Sequence, residues 1–315
     1  MPVADADLRA ALEGMLGRPV LAMARRPNEY CSSFAVEDVE ITLHGGDPIA
    51  LVFKDLAASS LAPAASGAKP AALLDPAREI EAYLEVLGPG GLGAPRCYGA
   101  VSDPAAERHW LFLEAVDGVP IWQLGEPEPW DAAARWLAGL HAHATPAGHD
   151  HLLDYDAEYL RGWLDRAIRF APVGALDPVA EVWDGVVEQV AAWPDSFVHG
   201  EFYPSNLLVR GDTAGPRIVP IDWEMAGIGP CLLDLAALTS GDWTASERER
   251  LALAYRDALA PADRPRADEL LGGLAQCRLL IAVQWLGWSR DWSPPADHAH
   301  DWLAEALALA EEIGS

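Results

Sequence analysis

The segment HGEFYPSN, residues 199–206, is the most informative stretch of this sequence for its fold and its chemistry, and the segment IDWE follows it at residues 221–224. The first segment holds a carboxylate, Glu201, and a side-chain amide five residues later, Asn206. An apolar run at 218–221 predicts a short strand that ends beside Asp222. Carboxylate and amide oxygens are the ligands that Mg²⁺ prefers, and a further carboxylate can orient a hydroxyl group. The two segments therefore predict a site in which Glu201 faces an acceptor hydroxyl while Asn206 and Asp222 hold Mg²⁺.

Composition restricts the partners of such a site. The chain has 315 residues, 48 acidic against 22 basic, and a formal net charge of −26. This charge disfavours binding to nucleic acid and to anionic membranes. It fits a cationic substrate, although an acidic surface that serves only solubility is an equal alternative.

The cellular compartment of the protein is indicated by its cysteines and by its first residues. The four cysteines, Cys31, Cys97, Cys231 and Cys277, form no disulfide-like or metal-binding spacing, and we expect free thiols. The sequence starts with acidic residues instead of the basic and apolar regions of a signal peptide. No apolar run approaches the roughly 20 residues that span a bilayer. We expect a cytoplasmic protein of unknown oligomeric state.

Hydrophobic periodicity predicts a first part rich in β structure. It comprises a helix at 5–16, strands at 19–23, 34–43, 48–56, 96–101 and 110–115, and a helix at 75–87 with Asp75 as N-cap and Pro76 at its first position. The turn signal HGGD at 44–47 predicts that the first three strands form an antiparallel meander. We expect the intervening segment 57–70 to be an irregular connection.

The second part is predicted to be mainly helical. Helices are expected at 130–143, 155–170, 178–193, 246–260, 267–292 and 300–313, with short strands flanking the HGEFYPSN segment. The prediction is an α+β fold of two lobes. The N-lobe, 1–115, has a five-stranded antiparallel sheet and one helix, and the C-lobe, 116–315, is helical and holds the catalytic loop.

Lysine usage singles out one more residue. The only lysines are Lys54 and Lys69, and Lys54 lies inside the apolar strand IALVFKDL. Such a lysine is suited to bind the α and β phosphates of a nucleotide. We expect its ion-pair partner on the helix at 75–87, with Glu79 preferred over Glu81 and Glu85.

Three further groups of residues remain ambiguous. The segment 27–33 is the position expected for a phosphate-covering loop, through its backbone amides and the hydroxyls of Ser32 and Ser33, although a plain loop fits almost as well. The histidines at 141, 143, 149 and 151 lack the spacing of a metal site and suit the end of a helix. The tryptophans at 285, 288 and 292 share one helix face and form either core or a wall against a cationic or planar substrate.

Together these motifs resemble the aminoglycoside phosphotransferase and choline kinase-like phosphotransferase family, which has a protein-kinase-like fold. The resemblance rests on Lys54 in its strand, REIEAYLEVL at 78–87, WLAGLHA at 136–142, HGEFYPSN, and IDWEMAGIGPCLLDLAAL at 221–238. It implies ATP or GTP as co-substrate between two lobes, Mg²⁺ on Asn206 and Asp222, and a catalytic-loop role for His199. It also implies a supporting role for Asp234 and a nucleotide-base hinge at Phe112, Leu113, Glu114 and Ala115.

The chain departs from the family at Glu201, where the family usually has aspartate. Glutamate keeps the carboxylate and displaces it by about one C–C bond. The resemblance implies an O-phosphotransferase for a small, hydroxylated and cationic molecule such as an aminoglycoside-like antibiotic, a natural-product intermediate or an amino alcohol. A kinase of Ser/Thr-bearing peptides and a catalytically weak nucleotide-binding module remain as alternatives.

Overall fold

The computed structural model of the chain describes residues 3–28, 33–62, 65, 69–70, 73–143, 148–212, 215–288 and 300–315. The chain divides into two compact units, Met1–Asp117 and Gly118–Ser315. The first unit is built on a sheet and the second is mainly helical, which confirms the α+β class.

The first unit is a five-stranded antiparallel sheet in the order β1-β2-β3-β5-β4. Its strands are β1 (Val20–Pro27), β2 (Ala35–Leu43), β3 (Pro48–Asp55), β4 (Cys97–Asp103) and β5 (Arg108–Glu114). The first three strands form the expected meander, and β5 then inserts between β3 and β4. Helix α1 (Asp5–Leu16) buries Leu8 and Leu12 in the same core as Phe53 and Phe112. This core holds β3, and therefore Lys54, in place.

The second helix differs from the sequence prediction in its start and in its form. It spans residues 78–90, beginning as an α-helix at Arg78–Glu81, continuing as a π-helix at Ala82–Leu87 and ending as an α-helix at Gly88–Gly90. Asp75 is not its N-cap: the Asp75 carboxylate accepts a hydrogen bond from the backbone of Ala77, 2.9 Å away, in a turn that precedes the helix. In the π-helical part the backbone N–H of Gly88 donates to the carbonyl of Tyr83, five residues back. We call the whole element α2.

The second unit consists of helices around two small sheets. The helices are α3 (Pro127–His141), α4 (Ala157–Phe170), α5 (Asp177–Ala191), α6 (Leu232–Leu238), α7 (Ala245–Ala258), α8 (Ala267–Gly287) and α9 (Trp302–Gly314). One sheet has the order β10-β9-β6 and the other β7-β11-β8. Their strands are β6 (Val119–Pro120), β7 (Leu153–Asp154), β8 (Asp195–Val198), β9 (Leu207–Asp212), β10 (Gly215–Pro220) and β11 (Gly227–Pro230). The short helix α6 was not predicted from the sequence, because its seven residues are apolar on every side except at Asp234.

Helix α8 is the central helix of the second unit. In the described part of the chain it is the one helix with the length and hydropathy of a membrane span, with a mean hydropathy of 1.3. It also packs against α4, α6 and α9, and 61% of its apolar window is buried. Because α8 is surrounded by other helices of the second unit, it needs no polar face, which explains why it is apolar all round. The sequence prediction extended it to residue 292, and residues 289–292 lie outside the described part.

Candidate active site

The HGEFYPSN segment forms a loop between β8 and β9 that is fixed by a buried carboxylate. The Asp234 side chain, which is fully buried, accepts hydrogen bonds from the backbone N–H of His199 at 2.7 Å and of Gly200 at 2.9 Å. Hydrogen bonds to an ionised carboxylate are about twice as strong as neutral ones. Asp234 therefore holds the start of the loop immediately before Glu201, which agrees with the supporting role that the family resemblance implies.

Gly200 adopts a conformation that the loop requires and that other residues resist. Its φ is +80°, in the left-handed region. A Cβ atom at this position would lie 2.0 Å from the Tyr155 hydroxyl and 2.3 Å from the carbonyl oxygen of Met225. Those two groups are joined by a 2.6 Å hydrogen bond. Glycine is thus required here both by the backbone angle and by the close approach of the loop to Tyr155 and to the backbone of Met225.

His199 acts as a connector between the two segments. Burial lowers its pKa, so the imidazole is neutral. Its Nε2 lies 3.0 Å from the carbonyl of Ile221, which can only accept, so Nε2 carries the proton. Nδ1 is then the acceptor for the backbone N–H of Glu201 at 3.3 Å. One ring therefore joins the strand before Asp222 to the backbone of Glu201.

Asn206 and Asp222 are brought together by the backbone. The backbone N–H of Ile221 donates to the carbonyl of Asn206 at 2.9 Å. The side-chain amide of Asn206 donates to the carbonyl of Glu201, also at 2.9 Å, which orients the nitrogen toward the loop and the oxygen away from that carbonyl. These contacts place the residue pair proposed for Mg²⁺ on neighbouring backbone segments.

Asp222 has a strained backbone. Its φ of +65° lies in the left-handed region, where a residue other than glycine costs roughly 1–2 kcal/mol. Strained residues of this kind concentrate at functional sites, because the surrounding structure must hold them. A half-buried carboxylate on a fixed backbone, near an oriented amide oxygen, has the hard-oxygen donor set that Mg²⁺ takes when phosphates and water complete the shell.

Aromatic packing makes this part of the unit rigid. Trp223, fully buried, stacks on Phe197 with ring centroids 5.5 Å apart and contacts His199 at 4.3 Å. Phe202 stacks on Trp136 at 5.6 Å. Phe202 and Trp223, which directly follow Glu201 and Asp222, are therefore anchored in the core, while both carboxylates remain partly exposed.

Lys54 and Glu79, in the first unit, form the expected ion pair. Nζ of Lys54 lies 2.6 Å from Oε1 of Glu79. Their side chains are only 11% and 2% exposed. Glu79 lies in the first turn of α2, and this pairing selects it over Glu81 and Glu85. The nucleotide-binding role of the pair stays a prediction.

The remaining predicted nucleotide-binding residues take ordinary structural positions. Ser33 is buried, and its carbonyl accepts a hydrogen bond from Ala62 at 2.8 Å, while Ser32 lies outside the described residues. Phe112 and Leu113 are buried core residues of β5. The backbone N–H groups of Glu114 and Ala115 donate to the carbonyls of Arg96 and Ala50. A hinge role for these four residues stays a prediction.

Sequence reasoning missed one residue of this region. His141 was interpreted as one of several histidines suited to a helix end, but its side chain is only 2% exposed and Nε2 lies 3.4 Å from Asp234. The signal that could have identified it is its position in the WLAGLHA motif, on the apolar face of α3 beside Leu137 and Leu140. His143, two residues further on, is exposed and agrees with the original interpretation.

The tryptophans of α8 differ in their surroundings. Trp288 is buried and packs edge-on against Trp163, with ring centroids 5.3 Å apart, as a core residue does. Trp285 is half-buried, contacts Tyr203 of the HGEFYPSN loop at 5.1 Å and stacks on Trp302. Trp292 lies outside the described residues. Of the two α8 tryptophans in the described residues, Trp285 therefore connects α8 to the candidate active site.

Several solved structures of similar fold are named as kinases or phosphotransferases of small molecules. A choline kinase, LicA from Streptococcus pneumoniae, superimposes with a TM-score of 0.64 at 15% identity, covering 98% of this chain and 99% of the other. An ethanolamine kinase from Plasmodium vivax has a TM-score of 0.62 at 12% identity, with 92% and 82% of the two chains covered. A macrolide 2'-phosphotransferase type I has a TM-score of 0.58 at 19% identity, with 98% of each chain covered. These similarities confirm the kinase-like fold.

Family membership follows from the sequence itself. No curated protein shows significant sequence similarity to the chain. Residues 43–270, however, match the sequence model of the phosphotransferase enzyme family. The matched range includes Lys54, Glu79, the HGEFYPSN loop, Asp222 and Asp234. The chain belongs to the phosphotransferase enzyme family.

Proposed function

We propose that the protein transfers the γ-phosphoryl group of ATP or GTP to a hydroxyl group of a small cationic molecule. The observation that best supports this proposal is the hydrogen-bonded unit formed by Asp234, the HGEFYPSN loop and the backbone before Asp222. Phosphoryl transfer depends on positioning and on electrostatic stabilisation more than on covalent chemistry by the protein. A rigid loop that fixes a carboxylate and an amide suits that demand.

In the proposed reaction the residues have separate roles. Glu201 orients the acceptor hydroxyl and accepts its proton as the new O–P bond forms and the bond between the γ-phosphorus and the bridging oxygen breaks. Lys54, held by Glu79, binds the α and β phosphates. Asn206 and Asp222 would hold Mg²⁺, which supplies neutralisation of phosphate charge when bound. Ser32, Ser33 and the hinge at 112–115 are proposed to contact the phosphates and the base.

The cationic character of the acceptor rests on two features. The net charge of −26 attracts cations over long range. We propose that Trp285, half-buried and in contact with the HGEFYPSN loop through Tyr203, is the aromatic residue that an ammonium group of the acceptor would meet. Among the similar structures, the choline, ethanolamine and aminopropanol kinases are named for amino alcohols, and another structure contains LicA with AMP. Because the reaction consumes ATP or GTP, we place the protein in the cytoplasm.

An acceptor panel tests the proposal. ATP and GTP turnover with Mg²⁺ is measured with choline, ethanolamine, 1-amino-2-propanol, an aminoglycoside and a macrolide, and with glycerol as a neutral control. We expect turnover with at least one cationic acceptor, and a KM for it that rises with ionic strength as surface charges are screened. Turnover with glycerol alone, or a KM insensitive to salt, would contradict the cationic acceptor.

Three variants separate the roles. Asp222→Ala should abolish turnover, Glu201→Gln should slow it, and Glu201→Asp tests whether the family residue can replace the glutamate. Nucleotide binding is followed in parallel by thermal shift with and without Mg²⁺. Nucleotide binding without turnover on any acceptor, unchanged by Glu201→Asp, would instead support a non-catalytic module. Turnover with a Ser/Thr peptide alone would support a peptide kinase.

A further inference from the structure

A row of buried polar side chains continues from the catalytic loop into the helical core. Asp234, which binds the backbone of His199 and Gly200, is contacted by Nε2 of His141 at 3.4 Å. The other ring nitrogen of His141 lies 3.0 Å from the hydroxyl of Tyr255. Asp234 is fully buried, and the side chain of His141 and the residue Tyr255 are 2% and 1% exposed. Side chains shielded in this way from solvent must satisfy one another.

The proton positions in this row follow from the capacities of its members. The Asp234 carboxylate only accepts hydrogen bonds, so Nε2 of His141 must carry a hydrogen. The other ring nitrogen, Nδ1, lies 3.0 Å from the hydroxyl of Tyr255, and these two groups share one hydrogen bond. Burial raises the pKa of Tyr255, which keeps its hydroxyl protonated and able to donate. The row is therefore joined by two hydrogen bonds, one between Tyr255 and His141 and one that His141 donates to Asp234.

The row joins three helices to one loop. His141 is the last residue of α3, Tyr255 lies in α7, and Asp234 lies in α6. Helices α3 and α7 pack against each other, so the donors are fixed by the helical core and not by the loop itself. If the Asp234 carboxylate rotated about its side-chain bonds, it would lose its hydrogen bonds to the backbone N–H groups of His199 and Gly200. A third hydrogen bond from a rigid helix restricts that rotation.

We propose that His141 and Tyr255 are positioning residues for phosphoryl transfer, acting through Asp234. They hold the Asp234 carboxylate in the one orientation that binds both backbone N–H groups, and so fix Gly200 and the adjacent Glu201. This inference rests on the proposed function, since Glu201 is its reacting carboxylate. It does not require His141 or Tyr255 to contact a substrate.

Two measurements on purified full-length variants test the proposal. Amide hydrogen exchange, read by mass spectrometry over residues 197–203, reports directly on the two N–H groups that Asp234 binds. Steady-state kinetics with Mg²⁺-ATP and the best acceptor of the panel above report on the reaction. The variants are His141→Leu, which removes both contacts, and His141→Gln, whose side-chain N–H can replace Nε2. Tyr255→Phe removes the hydroxyl, and His143→Leu is the exposed control.

We expect His141→Leu to accelerate exchange at 197–203 by about tenfold or more and to lower kcat by a similar factor. KM for ATP should stay within about twofold, exchange in β9 should not change, and His141→Gln should recover most of both losses. Tyr255→Phe should give a smaller change in the same direction, and His143→Leu none. If the His141→Leu protein has the same exchange rate at 197–203 and the same kcat as the wild-type protein, the proposal is overturned.

Losses that His141→Gln does not recover, or equal acceleration of exchange throughout the second unit, would also overturn it, because they would indicate a general packing role. The exchange measurement needs no turnover. If the wild-type protein transfers no phosphate, the proposed function fails, whereas His141 can still be shown to hold or not to hold the loop. If turnover is normal and exchange in His141→Leu is unchanged, only the positioning role fails.

Discussion

Replacing Gly200 with alanine should destabilise the second unit and disable the catalytic loop. Two separate costs arise at this position. The φ of +80° is unfavourable for any residue with a Cβ atom, and the new methyl group would lie within 2.0 Å of the Tyr155 hydroxyl and 2.3 Å of the Met225 carbonyl oxygen. The methyl group therefore cannot be accommodated unless the 2.6 Å hydrogen bond between those two groups is broken.

The magnitude can be worked from these contacts. The left-handed conformation costs roughly 1–2 kcal/mol for a residue other than glycine. Breaking the buried hydrogen bond and leaving a carbonyl unsatisfied costs about 1–3 kcal/mol more. The free energy of unfolding should therefore fall by about 2–5 kcal/mol, the sum of the two ranges. Because the backbone of Glu201 follows directly, kcat should fall as well.

The assay is urea unfolding followed by tryptophan fluorescence, with Gly162→Ala as the matched control. Gly162 is exposed in α4, and a Cβ atom there would meet nothing within 4 Å. Alanine at that position should raise the free energy of unfolding by roughly 0.5–1 kcal/mol, because glycine is unfavourable inside a helix. The two glycine-to-alanine changes should thus have opposite signs.

The double variant Tyr155→Phe, Gly200→Ala separates the two costs. Removing the Tyr155 hydroxyl eliminates one collision, so the double variant should be less destabilised than the sum of the two single variants. A Gly200→Ala protein whose stability lies within about 0.5 kcal/mol of the Gly162→Ala protein would refute the reasoning. So would strictly additive effects in the double variant.

Three further predictions concern other parts of the chain. Lys54→Met should weaken ATP binding by about 10- to 100-fold through the loss of a charged hydrogen bond, whereas Lys69→Met should leave ATP binding unchanged. An acyl-phosphate derivative of ATP should acylate Lys54 and not Lys69, as measured by mass spectrometry. Equal labelling of the two lysines would contradict the assignment of Lys54. Gly273→Ala should destabilise α8, because its Cβ atom would lie 2.6 Å from the ring of Trp193, while Gly272→Ala, with nothing within 4 Å, should stabilise it in the same urea assay. Thr244→Ala should remove the capping box of α7 at a cost of about 1 kcal/mol, and Thr244→Ser should retain it; equal stability of the two variants would argue against the cap.

Much of the fold could be predicted from local sequence. The bounds of α1, β2 and β3 follow to within one residue from hydrophobic periodicity and from the turn at 44–47, because those elements are amphipathic and joined by short connections. Strand β1 was predicted to end at residue 23 but continues to Pro27, the first residue of the segment predicted as a phosphate-covering loop. The start of α2 was predicted wrongly, since the Asp75 side chain binds the backbone within a turn and not at a helix end. Its π-helical part has no periodicity that sequence reasoning recognises.

The sequence by itself determined the reaction class: the residue types and spacing in HGEFYPSN and IDWE, together with a lysine inside an apolar strand, indicate phosphoryl transfer because that chemistry needs those groups. It also selected Glu79 from a helix with three candidate glutamates, since that residue lies in the first turn. The family resemblance implied a supporting role for Asp234, but only the tertiary structure showed that its carboxylate binds the backbone of His199 and Gly200 and is contacted by His141. Asp234 and His141 lie 33 and 60 positions from Glu201 in the sequence, on different helices. Contacts of that kind depend on how helices pack, and no local pattern encodes them.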